Sequence, residues 1–214
     1  MKKKYLILLI AVTALVMLGC KKKEESYTSA RDHQIEVGAE GNITSTLIDV
    51  FDKDYYNQEE FRSLVENEIA NYNSGNQEDV LELDILEVEE QNITLRMKYA
   101  TAADYASFNK VILFKGTISE ALAAGYDFNT SFIELDGQKA KEDEVAGNVI
   151  RELGNDYQVI ITNEVVEIIV PSAISYISNN MGIETKKVAY VEDVEAITAS
   201  TIDDSKTLAY VVYK

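Results

Sequence analysis

His33 and Cys20 are the only imidazole and the only thiol in this 214-residue chain. Ser-His-Asp hydrolysis, Cys-His catalysis and zinc proteolysis each need a histidine held in a pocket. His33 falls in a run of Ser, Thr, Glu and Lys that reads as a tether, so the sequence sets those classes aside. A lone Cys leaves no disulfide framework and no Cys-based zinc site. The ten glycines are scattered, and none forms GxGxxG or GxxxxGKS/T, the loops that cradle phosphate.

Other combinations are weaker. Ser107-Phe108-Asn109-Lys110, Ser178-Asn179-Asn180 and Lys206-Thr207-Leu208 follow the order of the S-x-x-K, S-x-N and K-T-G motifs of penicillin-binding proteins and β-lactamases. Leu208, however, stands where Gly must let substrate approach the strand, and Ser107 closes a short predicted helix instead of opening a long one. Asp52 and Asp54 begin like a calcium loop, but Asn57 takes the required Gly position and Ser63 that of the bidentate Glu. Glu142-Asp143-Glu144 and Asp203-Asp204 read as solvated acidic surface. With 34 carboxylates after Gln34, some pair will fall at glycosidase spacing, and nothing in the sequence selects one. The 13 Tyr read as strand residues in preference to a glycan-stacking surface. No catalytic residue, metal ligand or cofactor site is assigned.

The charge balance limits the partners. With 20 Lys+Arg against 37 Asp+Glu, the net charge is −17, which argues against a nucleic-acid binder. At 46% apolar and 27% charged residues the chain is globular, long enough for one domain or two small ones.

The N-terminus carries an address. Lys2, Lys3 and Lys4 precede a 15-residue apolar run from Tyr5 to Gly19, short of the roughly 20 residues that span a bilayer. The run ends at Met17-Leu18-Gly19-Cys20 and passes directly into Lys21, Lys22 and Lys23. This resembles the lipobox of bacterial lipoproteins; Met17 and Leu18 stand where that family usually has Leu and a small residue. The resemblance implies a signal peptide over residues 1–19, cleavage before Cys20, and a membrane anchor through a diacylglyceryl group on Cys20. Loss of the three signal lysines takes the net charge from −17 to −20. Residues 20–34 then form the lipidated Cys and a flexible tether reaching about 20 Å, with Lys21 to Lys23 facing an anionic membrane surface. The rest of the chain resembles small, Tyr-rich, acidic lipoproteins of Gram-positive anaerobes, through Cys20, the acidic helix after Asn57 and the terminal Leu208 to Lys214. That resemblance implies no activity.

The elements behind these residues read as one α+β domain over 35–214, antiparallel and β-rich, with one amphipathic helix and two or three short ones. Its C-terminal part from about residue 140 is the more β-rich. Ile43 to Phe51 is a strand by its β-branched content. Asn57 caps a helix carrying Phe61, Leu64, Val65, Ile69 and Tyr72 on one face, stopped by Asn73-Ser74-Gly75-Asn76. Alternation predicts a hairpin pairing Val88 with Ile93 and Leu86 with Leu95. A bulge at Ile85 or Leu86 sets Asp84 opposite Arg96 and Glu82 opposite Lys98. Thr101 and Thr117 open two short helices, the second closed by Gly125, and a third is expected over Glu142 to Leu153. Val111 to Phe114, Phe132 to Leu135, Thr185 to Glu192 and Leu208 to Tyr213 read as strands. Tyr157 to Thr162 and Val165 to Val170 suggest a second hairpin through Asn163-Glu164, and Pro171-Ser172 an edge or corner.

The function this supports is a membrane-anchored extracytoplasmic lipoprotein at the cell surface, non-catalytic, with an interaction or structural role. The alternatives are a binding module for a glycan, peptide or divalent cation, and then a carboxylate-dependent hydrolase.

Overall fold

The computed structural model describes residues 32–53, 56–192 and 208–214. In it the protein is α+β, β-rich and mostly antiparallel. Strands β1 (His33–Val37), β2 (Ile43–Val50), β3 (Leu81–Glu89), β4 (Asn92–Tyr99), β9 (Glu167–Ile169), β11 (Met181–Thr185) and β12 (Val188–Val191) form one sheet, in the order β11-β12-β9-β1-β2-β4-β3. The second sheet has the order β5-β8-β13-β10-β6-β7. Its strands are β5 (Leu113–Thr117), β6 (Ser131–Asp136), β7 (Lys139–Ala146), β8 (Gln158–Thr162), β10 (Ile174–Ser178) and β13 (Ala209–Tyr213). Helix α1 is Gln58–Asn73, α2 Ala102–Asn109, α3 Ile118–Ala123 and α4 Gly147–Arg151.

Alternation assigns the faces. On β1, Ile35 and Val37 are buried on one side while Glu36 is exposed on the other. The apolar face of the first sheet meets α1 through Val65 and Ile69. It also shares a continuous core with Ile160, Ile177, Val211 and Tyr213 of the second sheet. The opposite face of that second sheet packs a smaller core around Phe128, Phe132, Val159, Ile161 and Tyr210, covered by Ile118, Ala121 and Ile150 of α3 and α4.

Local chemistry sets several boundaries as expected. The Asn57 side chain accepts from the Glu59 and Glu60 amides, and Thr117 forms a reciprocal capping box with Glu120. Gly125 follows α3 at φ +96°, a conformation that costs an L side chain. In the β3–β4 hairpin Val88 faces Ile93, Leu86 faces Leu95 and Glu82 faces Lys98. The extra residue is Asp84, one position before the expected bulge. Bulged out of register, its carboxylate reaches Arg96 at 3.3 Å and Lys98 at 2.7 Å, so one acid serves two cations on the exposed face.

Other expectations are corrected. His33 and Gln34 belong to β1, not to a tether. Residues 157–170 do not form a hairpin: β8 pairs with β5 and β13, whereas β9 pairs with β12 and, in parallel, with β1. Asn163-Glu164 lacks the glycine that a tight two-residue turn favours, and both strands are buried along most of their length, each inside a different sheet. Pro171 marks another crossing between sheets, a corner. Glu142 to Ala146 are strand, and the third short helix begins only at Gly147. Charged residues along β7 suit an edge strand, where they deter further pairing. Lys186 and Lys187 split the segment expected as one strand into β11 and β12. Strands after residue 140 are spread over both sheets.

Gly147 tests the packing. A Cβ there would collide with the Phe128 carbonyl oxygen, a backbone atom that cannot swing away. Gly147→Ala is expected to destabilise the protein by about 2–3 kcal/mol in urea unfolding. Gly75→Ala, which meets only the Tyr72 carbonyl at 3.5 Å, should leave the midpoint within experimental error.

Candidate functional site

A groove opens over β2 and β4 of the first sheet, between α1 and α2. Its floor is Leu47 of β2 with Leu95 and Met97 of β4. One wall is the α1 face carrying Phe61, Leu64, Val65 and Glu68, spaced three and four apart and therefore aligned along the helix. Tyr105, Phe108 and Asn109 of α2, with Glu164 from the β8–β9 crossing, form the other wall. The groove has an inner chamber of about 290 Å³ and an outer one of about 540 Å³, joined at Leu47, Leu64 and Leu95. Leu64 is 56% exposed and Leu47 39%, unusual for large aliphatic side chains facing one another. Phe51, tilted against Tyr56 at 4.7 Å and Phe61 at 6.2 Å between ring centroids, borders the outer chamber.

The inner chamber ends in a polar cluster. The Tyr105 hydroxyl donates to Glu164 Oε2 at 3.0 Å. His33 Nε2 lies 3.2 Å from the same hydroxyl and 3.4 Å from Ser45 Oγ. With the phenol proton committed to the carboxylate, the Tyr105 oxygen accepts from His33, which fits the Nε2–H tautomer. Tyr99 packs edge-on against Tyr105 at 5.0 Å and accepts from Asn109 Nδ2 at 3.3 Å.

Electrostatics hold His33, Tyr99 and Tyr105 of this cluster in neutral forms. Burial pushes the His33 ring below its ordinary value, favouring uncharged imidazole. The Tyr105 phenol is driven far up, by burial first and then by the Glu164 carboxylate; that of Tyr99 is pushed up to about 12, again chiefly by burial. Neither phenol is a base at neutral pH. Ser45 and Tyr105 converge on one ring nitrogen, and among the described residues no carboxylate orients the other. The geometry offers hydrogen bonds and shape to a bound molecule.

Placing the residues picked out from sequence changes the ranking among them. Ser107 is exposed on α2. Ser178 is buried, donating to Asn180 Oδ1 at 2.6 Å and accepting from the Tyr210 amide at 2.8 Å, so its hydroxyl fastens β10 to β13. Asp52 pairs with Lys53 at 2.9 Å, and Glu142 to Glu144 lie along β7. Among the described residues no group of three His, Cys, Asp or Glu side chains is placed to hold a metal ion. Cys20, Asp54, Asp203, Asp204, Lys206 and Thr207 lie outside the described residues. The residues that do converge include His33, set aside as tether, and Glu164, read as a hairpin turn. A signal for the first was present: His33, Ile35 and Val37 alternate with Gln34 and Glu36, which is strand patterning.

No protein-family model matches this chain, and neither a curated protein nor a solved structure is similar to it. Among the described residues no helix is long and apolar enough to cross a membrane.

The depressed His33 value gives a signed pH dependence. Between the folded-state value and the unfolded value of about 6.5, only the unfolded chain takes up the proton. Stability from this group is therefore complete above pH 6.5 and is lost as pH falls below it, at up to about 1.4 kcal/mol per pH unit. Urea unfolding of the protein and of His33→Gln from pH 8 to 5 should diverge below pH 6.5, with the variant losing less. Carboxylates titrate in both chains and largely cancel in the difference.

Proposed function

We propose that this protein is a membrane-anchored extracytoplasmic lipoprotein whose domain acts by binding and not by catalysis. The observation that carries the binding part is the groove between α1 and the first sheet: apolar along its length, open at one end, and closed at the other by His33, Ser45, Tyr105 and Glu164. This is the composition of a small-molecule site, mostly apolar wall with a few convergent polar groups. It favours a ligand-binding module over a purely structural role, because Leu64, Val50, Leu47 and Tyr56 stay in water unless something covers them. One amphipathic helix lying over a mostly antiparallel sheet, with the short helix α2 on the far side, leaves the space for it.

The anchor rests on Lys2 to Lys4, the apolar run to Gly19 and the position of Cys20. In this reading the groove sits within about 20 Å of the outer membrane face, at the end of a tether starting at Cys20. A negative net charge of −17 keeps nucleic acid off the partner list. The reading agrees in general character with the small acidic lipoproteins of Gram-positive anaerobes.

Two measurements check the two parts. An anilinonaphthalene dye that fluoresces in apolar sites should bind the protein with one-to-one stoichiometry. Leu64→Ser, at a largely exposed position, should weaken it about tenfold with little change in melting temperature. Equal binding by protein and variant would place the dye elsewhere and remove the groove from consideration. In a bacterial host, labelled palmitate should enter the wild-type chain and not Cys20→Ser, and only the wild type should sediment with membranes.

A further inference from the structure

The chain enters the domain at the open end of the groove. The Asp32 carbonyl accepts from the Ile48 amide at 2.7 Å, and the next residue, His33, pairs with Leu47. Because β1 runs antiparallel to β2, the step back from His33 to Asp32 heads toward Asp49 and Val50, which border the outer chamber. The groove follows the same line. Ser45 and Met97 lie at its inner end, Leu47 and Leu95 in the middle, and Val50 and Ile93 at the outer end. Whatever precedes Asp32 therefore joins the domain where the groove opens. The β1–β2 turn over residues 38–42 lies at the other end of the same strands, about 20 Å away at roughly 3.3 Å per residue.

The outer end is also where large apolar side chains remain exposed. Val50 and Leu64 are each 56% exposed and Leu47 39%, next to the rings of Phe51 and Phe61. Clustered exposure of this kind marks a contact surface. We propose that the outer end of the groove is a membrane-contact surface, with Leu47, Val50, Phe51 and Leu64 meeting the bilayer that carries the anchor. The inference rests on the anchored reading and adds which end of the domain touches lipid. Residues 21–31 are all that separate Cys20 from this end, a reach of about 20 Å, so the bilayer is the apolar phase already beside the patch. Asp49 and Glu60 border the opening, and Glu89, which faces Asn92 as Val50 does, lies at the same end. These acids sit in the hydrated headgroup layer while the apolar side chains reach below it. A groove placed this way receives an apolar ligand without passing it through water.

The chain contains no Trp, so a single introduced indole reports its own surroundings. Full-length chains with Val50→Trp, Leu64→Trp or Ala39→Trp are produced in a bacterial host and purified from its membranes. Each is reconstituted into vesicles of phosphatidylcholine, whose lack of net charge keeps the nearby acids from deciding the outcome. One set of vesicles carries bromine on the acyl chains, which quenches indole only on contact. All three positions are exposed, so the larger ring needs no room in the core, and Leu64→Trp repeats the reading from α1. Emission from Val50→Trp and Leu64→Trp should fall about twofold in brominated vesicles and shift to shorter wavelength. Ala39→Trp, in the β1–β2 turn, should not change. Chains that sediment with the vesicles but show no quenching at positions 50 and 64, or equal quenching at position 39, overturn the contact surface and leave the anchor standing. Chains that stay in solution overturn the anchor and the contact surface together.

Discussion

The apolar face of the seven-stranded sheet extends further than either of the layers that cover it. Burying that face is the dominant favourable contribution to the fold, on the order of 25 cal/mol for each Å² removed from water. The second sheet takes one part of it and α1 another, through Val65 and Ile69. What neither reaches is the strip over Leu47 and Leu95. The groove is thus a consequence of layer packing, in a place where rigid strands set the floor and a helix sets one wall. That gives a bound molecule a preformed surface and lowers the cost of ordering it.

The weave between the sheets places the polar end. Residues 163–166 carry the chain from β8 in one sheet to β9 in the other, and this crossing brings Glu164 over the start of β1. At the same crossing the Asn163 side chain accepts from the Ile112 amide at 3.0 Å, and the Glu164 amide donates to Thr162 Oγ1 at 3.2 Å. The short polar side chains hold the backbone, so the glutamate arrives in a fixed position. Tyr105 arrives from α2, which Thr101 begins by accepting from the Asp104 amide and Lys110 ends in a left-handed conformation. Glu164 and Tyr105 meet His33 and Ser45 because the crossing and α2 are each locally determined.

Burial decides the chemistry of that meeting point. A phenol pushed upward is a donor and not a base, and an imidazole pushed downward is neutral. Ser45 and Tyr105 converge on one ring nitrogen, and Tyr105 links that ring to the Glu164 carboxylate. Glu68 and Glu164 are the acids that line this end of the groove.

Local patterns in the sequence determined the α1 cap at Asn57, the Thr117 capping box, the turn at Gly125 and the β3–β4 register, because each depends on residues a few positions apart. The bulge is instructive. Alternation demanded one extra residue near Ile85, but its position at Asp84 was decided by two cations across the strand pair, Arg96 and Lys98. Neighbouring β8 and β9 could not be assigned from pattern, since two apolar runs beside a short polar link look alike whether they pair with each other or with partners elsewhere. Only the tertiary structure decided that they go to different sheets, because the burial available on both faces of each strand exceeds what one hairpin supplies. The sequence alone determined the charge balance and the composition of the N-terminal address. The groove and its acidic inner end were decided by how much of one sheet face the covering layers could reach, a matter of packing between elements that no short stretch of chain encodes.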